Sequence, residues 1–256
     1  MRKEGEVAIV GAGPGDPDLI TLKALKKIQA ADVILYDRLV NVELLEYARS
    51  DARRIYVGKA PGRHSMTQSQ INEKLIQLAR EGKRVVRLKG GDPFIFGRGG
   101  EEAIALAEKG IPYEIVPGIT SSIGAAASAR LPLTHRGMSV SVAFVTGRRC
   151  RGQEESPRWD LLAHSVETLV IYMGVGEMAF IREELLRNGK SPETPVAVIE
   201  RGTTPGQRVV TGTLSNIGRL AETMKLSNPA LIVIGEAVRA REHLLRLEAE
   251  AMERIG

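Results

Sequence analysis

From residue 7 to residue 116, short apolar runs alternate with longer segments patterned like amphipathic helices. That alternation admits few folds other than a largely parallel sheet covered by helices. It predicts strands over 7–10, 33–36, 54–57, 84–88 and 113–116, with helices over 21–30, 42–48, 68–81 and 101–109 between them. Pro117-Gly118 breaks the pattern, and the stretch 119–131 that follows is rich in Ala, Ser and Gly and closes at Pro132. A second set then begins, with strands predicted over 140–146, 167–173, 195–200, 207–211 and 230–234 and helices over 176–187, 214–224 and 236–250. The expected fold class is α/β, in two α/β domains over 1–117 and 136–256 joined by a hinge segment over 118–135. No repeat links the two halves.

Composition narrows the function classes. At 256 residues, 43% hydrophobic and 26% charged, the chain is of soluble globular type with room for a sizeable core. The net charge of +5 suggests an anionic partner, and nucleic acid, acidic lipid and a small polycarboxylate are the choices. Aromatic content of 4% leaves few stacking platforms for single strands, and there is no recognisable nucleic-acid motif, so no nucleic-acid partner is expected. The single cysteine, Cys150, excludes an intrachain disulfide, and His64, His135, His164 and His243 lack ligand spacing, so no metal is expected. Neither a signal region nor a run approaching the ~20 apolar residues of a membrane span is present, which predicts a cytoplasmic protein without a membrane partner.

Chemistry concentrates in the strand-to-helix turns. After Val85-Val86-Arg87-Leu88 comes Gly90-Gly91-Asp92-Pro93-Phe94-Ile95-Phe96-Gly97-Arg98-Gly99-Gly100, where the backbone must bend sharply or approach something closely. Ligands of open α/β sheets bind outside the carboxyl ends of the strands, where this turn falls. The first turn, Gly11-Ala12-Gly13-Pro14-Gly15-Asp16-Pro17-Asp18, resembles a dinucleotide fingerprint but places Asp16 at the third glycine position. Carboxylates at a helix start cap it and repel a pyrophosphate, which disfavours a nicotinamide-dependent oxidoreductase. Asp37 and Lys59 close the second and third strands; each reads either as a proton-transfer group or as one member of a surface ion pair. The basic loop 62–72 offers Arg63 and His64 as anion contacts, and Ser65 or Thr67 as the cap of the helix that follows.

Taken in order, GAGPGDPDLIT, YDRLV, VGK, GRHSMTQSQIN, GGDPFIFGRGGEE, VPGITSS, PLTHRG, YMG, TPVAVIERGT and NPALIVIGEAV resemble the tetrapyrrole methylase superfamily over nearly the whole chain. The combination of YDRLV, VGK and GRHSMTQSQIN is similar to its uroporphyrinogen-methylating branch. The resemblance implies two α/β domains with S-adenosylmethionine in the cleft between them, a homodimer, and no metal. It implies transfer of two methyl groups to C2 and C7 of uroporphyrinogen III, through precorrin-1 to precorrin-2, with S-adenosylhomocysteine as by-product. Precorrin-2 feeds sirohaem and cobalamin.

Matched position by position, the resemblance implies cofactor contacts at Pro14, Gly90, Gly91, Asp92, Ile95, Thr120, Ser121, Met173 and Gly202. It also implies a proton acceptor at Asp37 and a proton donor at Lys59. An eight-carboxylate substrate gives the basic balance a purpose, and Arg38, Arg63, His64, Arg98, Arg130 and Arg136, with Arg148, are its candidate partners. Gly137 stands where relatives commonly have Asp, and Arg148 where they have His. No stretch resembles the dehydrogenase–chelatase domain of fused sirohaem synthases, so methylation alone is expected. The alternatives are methylation of a later precorrin and a non-catalytic adenosylmethionine-binding protein.

Overall fold

Every apolar run of the first half forms a strand. The structure, a computed structural model, describes residues 5–58, 66–147 and 156–254 and falls into two units, Met1–Ser121 and Ser122–Gly256. In chain order the first unit contains β1 (Glu6–Gly11), α1 (Leu22–Ala30), β2 (Val33–Tyr36), a 3-10 turn over Val42–Tyr47, and β3 (Arg53–Tyr56). It continues with α2 (Gln68–Arg80), β4 (Arg84–Lys89), α3 (Gly99–Glu108) and β5 (Tyr113–Val116). The sheet order is β3-β2-β4-β1-β5, and each neighbouring pair is parallel.

Helices cover both faces of this sheet, which is why its strands read as continuous apolar runs. Ala8, Val10, Ile34, Val86 and Leu88 pack with Ala24 and Ile28 of α1 and Leu44 and Leu45 of the 3-10 turn. On the other face, Val7, Ile9, Leu35 and Val85 pack with Ile71, Leu75 and Leu78 of α2 and Leu106 of α3. Thr67 caps α2 in a reciprocal box: its hydroxyl accepts from Gln70 N at 3.3 Å, and Gln70 Oε1 accepts from Thr67 N at 2.8 Å. Residues 42–48, expected as helix, form a 3-10 turn started by Asn41, whose side chain accepts from Glu43 N.

The chain leaves β1 over one face toward β2 and leaves β4 over the other face toward β5. These departures diverge between adjacent strands β1 and β4, which makes their carboxyl ends the topological switch point. Three backbones meet there. Gly13 N donates to Gly91 O at 3.2 Å and Gly91 N to Gly13 O at 2.7 Å, while a Cβ on Gly118 would stand 2.3 Å from Gly91 O.

Helix α4 (Ser121–Ser128) begins at the last residue of the first unit, and the second unit continues with β6 (Val142–Thr146), α5 (Trp159–Ser165), β7 (Thr168–Tyr172) and α6 (Met178–Arg187). After these come β8 (Pro195–Glu200), β9 (Arg208–Thr213), α7 (Ile217–Thr223), β10 (Ala230–Ile234) and α8 (Ala237–Glu253). Its sheet order is β6-β7-β10-β8-β9; β6 and β7 are parallel and the other pairs antiparallel. Leu169, Ile171, Val198 and Ile232 pack on one face with Trp159, Ile181 and Ile217. Val170, Ala197 and Val233 pack on the other with Ala125, Ala129 and Val238. The division between the units falls between Ser121 and Ser122, within the segment 118–135.

The glycine contacts make a testable demand. Gly118→Ala should destabilise the protein by about 2 kcal/mol or more, because the methyl would meet fixed backbone rather than a movable side chain. Urea unfolding checks this, and an unchanged midpoint would show that the loops are free to separate.

Candidate functional site

The carboxyl end of the first sheet is built by turns that hold one another. Asp92 is the tie: its Oδ1 accepts from Phe94 N at 2.8 Å, and its Oδ2 accepts from Gly118 N at 3.0 Å. One carboxylate therefore shapes the turn after β4 and fastens to it the turn after β5. Gly91 has φ +69°, a conformation that glycine adopts without strain, and Thr120 Cα and Ser121 N lie 3.8 Å from where its Cβ would be. The turn after β2 closes in as well, since a Cβ on Gly90 would stand 2.6 Å from Leu39 Cβ. Pro14 lies in the turn after β1, one residue beyond the Gly13–Gly91 bridge.

This site is shaped against phosphate. Asp16 caps the 3-10 turn Pro17–Leu19 by accepting from Asp18 N at 2.9 Å, and Thr21 caps α1 by accepting from Ala24 N at 3.1 Å. Side chains of the chain itself thus engage one helix-start donor each, and Asp16 adds a negative charge where a pyrophosphate would approach. Around the turns stand Leu39, Phe94, Ile95 and Phe96, all exposed large apolar side chains. Backbone glycines, carboxylates and apolar surface together suit a ligand with an aromatic part and positive charge, and S-adenosylmethionine has both. Among the described residues, no group of three or more His, Cys, Asp and Glu is placed to hold a metal ion.

Asp37 sits in the turn after β2. Its Oδ1 accepts from Leu39 N at 3.1 Å, and its Oδ2 pairs with Arg87 Nη2 at 3.4 Å. The partner was not singled out in the sequence, although Arg87 and Lys89 lie on a central strand and are buried. Both reach Glu102 of α3, itself fully buried: Arg87 Nε and Lys89 Nζ each lie 3.0 Å from Glu102 Oε1. Burial first, and then the Arg87 cation, push the Lys89 ammonium below its ordinary pKa against the pull of Glu102.

The candidate arginines fare differently. Arg38 is exposed beside Asp37. Arg98, with φ 60°, holds Glu101 through two contacts of 2.7 Å, so an incoming carboxylate would compete with that pair. In the second unit, Arg130 Nε donates to Glu248 Oε1 at 3.0 Å, and Arg136 lies exposed in the turn bridged by His135 and Ser139. Gly137 in that turn has φ +81°, a region that asparagine and aspartate also enter more readily than most residues. Lys59, Arg63, His64 and Arg148 lie outside the described residues.

Met173 and Gly202 follow β7 and β8 of the second unit. Met173 is exposed with φ 55°, and a Cβ on Gly202 would stand 2.2 Å from Ala125 Cβ of α4. Beside Gly202, buried Glu200 receives Arg208 Nε at 2.5 Å, Ser227 N at 2.8 Å and Ser227 Oγ at 2.9 Å. The arginine hydrogen bond chiefly, then those of Ser227, hold the Glu200 carboxyl down at about 2.

This fold and these turns define a family. Residues 6–218 match the Tetrapyrrole (Corrin/Porphyrin) Methylases, and the chain belongs to that family. It is 57% identical over 234 residues to the uroporphyrinogen-III C-methyltransferase of Priestia megaterium, covering 91% of this chain and 98% of that protein. A siroheme synthase of Pseudomonas fluorescens (strain Pf0-1) is 54% identical over 97% of this chain, but the chain spans only 53% of its length. Uroporphyrin-III C-methyl transferase from Thermus thermophilus, crystallised with S-adenyl homocysteine, superposes with a TM-score of 0.79 at 43% identity, covering 92% of this chain and all of that one.

Because the Glu200 carboxyl is held below its ordinary 4.5, its stabilisation is complete above pH 4.5 and is lost as pH falls through about 2. Glu200→Gln should cost about 1.5–3 kcal/mol at neutral pH, the range for a charged hydrogen bond. It should also flatten the pH dependence of the thermal midpoint across that interval; equal slopes in parent and variant would remove Glu200 from the acid response.

Proposed function

We propose that this chain is an S-adenosylmethionine-dependent C-methyltransferase that converts uroporphyrinogen III through precorrin-1 to precorrin-2, adding methyl groups at C2 and C7. The observation that carries this reading is its likeness, along nearly their whole length, to the Priestia megaterium protein. The glycine turns of the first unit, with Asp16 where a pyrophosphate would approach, support it independently. The precorrin-2 formed would serve sirohaem and cobalamin synthesis, and the resemblance further implies a cytoplasmic homodimer. Among the described residues, no helix is long and apolar enough to cross a membrane.

Bound to the chain, adenosylmethionine supplies a methyl group activated by a sulfonium. The resemblance assigns Pro14, Gly90, Gly91, Asp92, Ile95, Thr120, Ser121, Met173 and Gly202 to hold it. Asp92 acts by keeping the turns after β4 and β5 together. Apolar side chains exclude water and align the two reactants, which is most of what such a transfer needs. Arg38, Arg98, Arg130 and Arg136, together with Arg63, His64 and Arg148, are assigned to substrate carboxylates. Each transfer would form one carbon–carbon bond on a pyrrole carbon as the methyl–sulfur bond breaks, its electron pair returning to sulfur, and would leave neutral S-adenosylhomocysteine and one proton to remove. The Asp37 carboxylate is assigned as the acceptor for that proton, and Lys59 as the proton donor that the resemblance implies.

Anaerobic incubation with enzymatically generated uroporphyrinogen III and methyl-labelled adenosylmethionine tests the reading by mass spectrometry. A tetrapyrrole heavier by two labelled methyl groups is expected. No transfer, with adenosylmethionine bound, would move the substrate to a later precorrin; no transfer to any tetrapyrrole would make the chain a binding protein. Within this reading, Asp92→Ala should weaken adenosylmethionine binding roughly tenfold in calorimetry, since a freed Gly118 N–H and an opened turn cost about as much as one hydrogen bond. Asp37→Ala and Lys59→Ala should leave that affinity within about threefold and lower kcat by about 10²-fold or more. Full rates in both would end their catalytic assignment.

A further inference from the structure

Strand β4 runs through the middle of the first sheet with Val85, Arg87 and Lys89 on one face. Val85 belongs to the apolar core beneath α2 and α3, whereas the next two positions on that face are cations, exposed by only 3% and 4%. Glu102, 0% exposed, answers them from α3. All three donor nitrogens of the Arg87 guanidinium are committed: Nε to Glu102 Oε1 at 3.0 Å, Nη1 to Leu88 O at 2.9 Å and Nη2 to Asp37 Oδ2 at 3.4 Å. Gln68 of α2 adds a third donor to Glu102 Oε1 at 3.2 Å, while Glu102 Oε2 has no hydrogen-bond partner among the described residues.

Stability does not account for this arrangement. Buried ion clusters recover their desolvation cost poorly, and apolar replacements of similar volume are often neutral or stabilising. A carboxylate with one oxygen crowded by three donors and the other left bare is a poor stabilising device. What the cluster does provide is direction. Arg87 is fixed in its strand and anchored on Glu102, so one edge of its guanidinium presents to Asp37 in a single orientation. The other Asp37 oxygen is held by Leu39 N, so the carboxylate has no free rotation. Glu102 lies in the first turn of α3, the helix that opens from the turn containing Gly90, Gly91 and Asp92.

We propose that Arg87, anchored by Glu102, is a positioning residue that fixes the Asp37 carboxylate for proton transfer and ties it to the helix opening from the turn after β4. This rests on the reading of Asp37 as proton acceptor given above. Arg87 need not touch substrate or cofactor; it acts through Asp37.

A double-mutant cycle on the full-length protein tests it, using uroporphyrinogen III generated in place under anaerobic conditions. Arg87→Met keeps the volume and leaves Glu102 paired with Lys89. It should lower kcat at least tenfold, with the adenosylmethionine Kd and KM within about threefold of the parent, and Arg87→Lys should recover part of the rate. In the Asp37→Ala background, Arg87→Met should add less than a threefold loss. An undiminished loss in that background would overturn the proposal, as would a parental rate in Arg87→Met alone. A parental rate in Asp37→Ala alone would overturn the reading of Asp37 beneath it, and that single variant tells the two failures apart. If Arg87→Met does not fold, Glu102→Gln runs through the same cycle with the same expected result, because it weakens the anchor without changing its size.

Discussion

Backbone contact among three turns is the constraint on which the first unit depends. Gly11, Gly91 and Gly118 stand so close that a side chain on Gly11 or Gly118 would strike main-chain atoms. This closeness lets Asp92 span from one turn to the next with a single carboxylate. Remove the glycines and the turns move apart; the carboxylate then cannot reach both N–H groups, and the floor of the switch point opens. The sheet order sets where this happens, but the absence of Cβ atoms permits it.

The two units solve the burial of a sheet in different ways. In the first, helices on both faces let every strand run parallel and mostly apolar, and much of the polar chemistry lies at the strand ends. In the second, β8 and β9 pair antiparallel through the turn 201–207, and β10 pairs antiparallel with both β7 and β8. There too the notable groups lie at the carboxyl ends: Met173 after β7, and Glu200 with Gly202 at the end of β8.

How much was legible follows from what each pattern encodes. The strands were visible because an apolar run between turn residues has few other readings, and all ten lie where expected to within two residues. Strand direction in the second sheet was not visible, since pairing partners distant in sequence leave no local trace. Helix α4 was hidden because Ser-Ser-Ile-Gly-Ala-Ala-Ala-Ser has no polar face to mark its period, and α5 has only 7 residues. Among the candidate site residues, the glycines and Asp92 announced themselves through turn chemistry. Arg87, Lys89 and Glu102 did not. The alternation Arg84-Val85-Val86-Arg87-Leu88-Lys89 reads as a strand with one wet face, and only its central place in a doubly covered sheet makes the charges anomalous. A signal was nonetheless available: a parallel strand with cations at alternate positions near its end has to bury them against an acid somewhere.

The carboxylate cap at the first turn has a consequence for life in a crowded solution. Phosphorylated nucleotides are abundant in any cell, and most sheets of this construction receive them at this same edge. By capping its own helix starts with Asp16 and Thr21, the first unit engages Asp18 N and Ala24 N and sets a carboxylate where a phosphate would approach. The common nucleotide pool is thereby disfavoured at this edge through its phosphates, before any contact discriminates between one adenosine group and another.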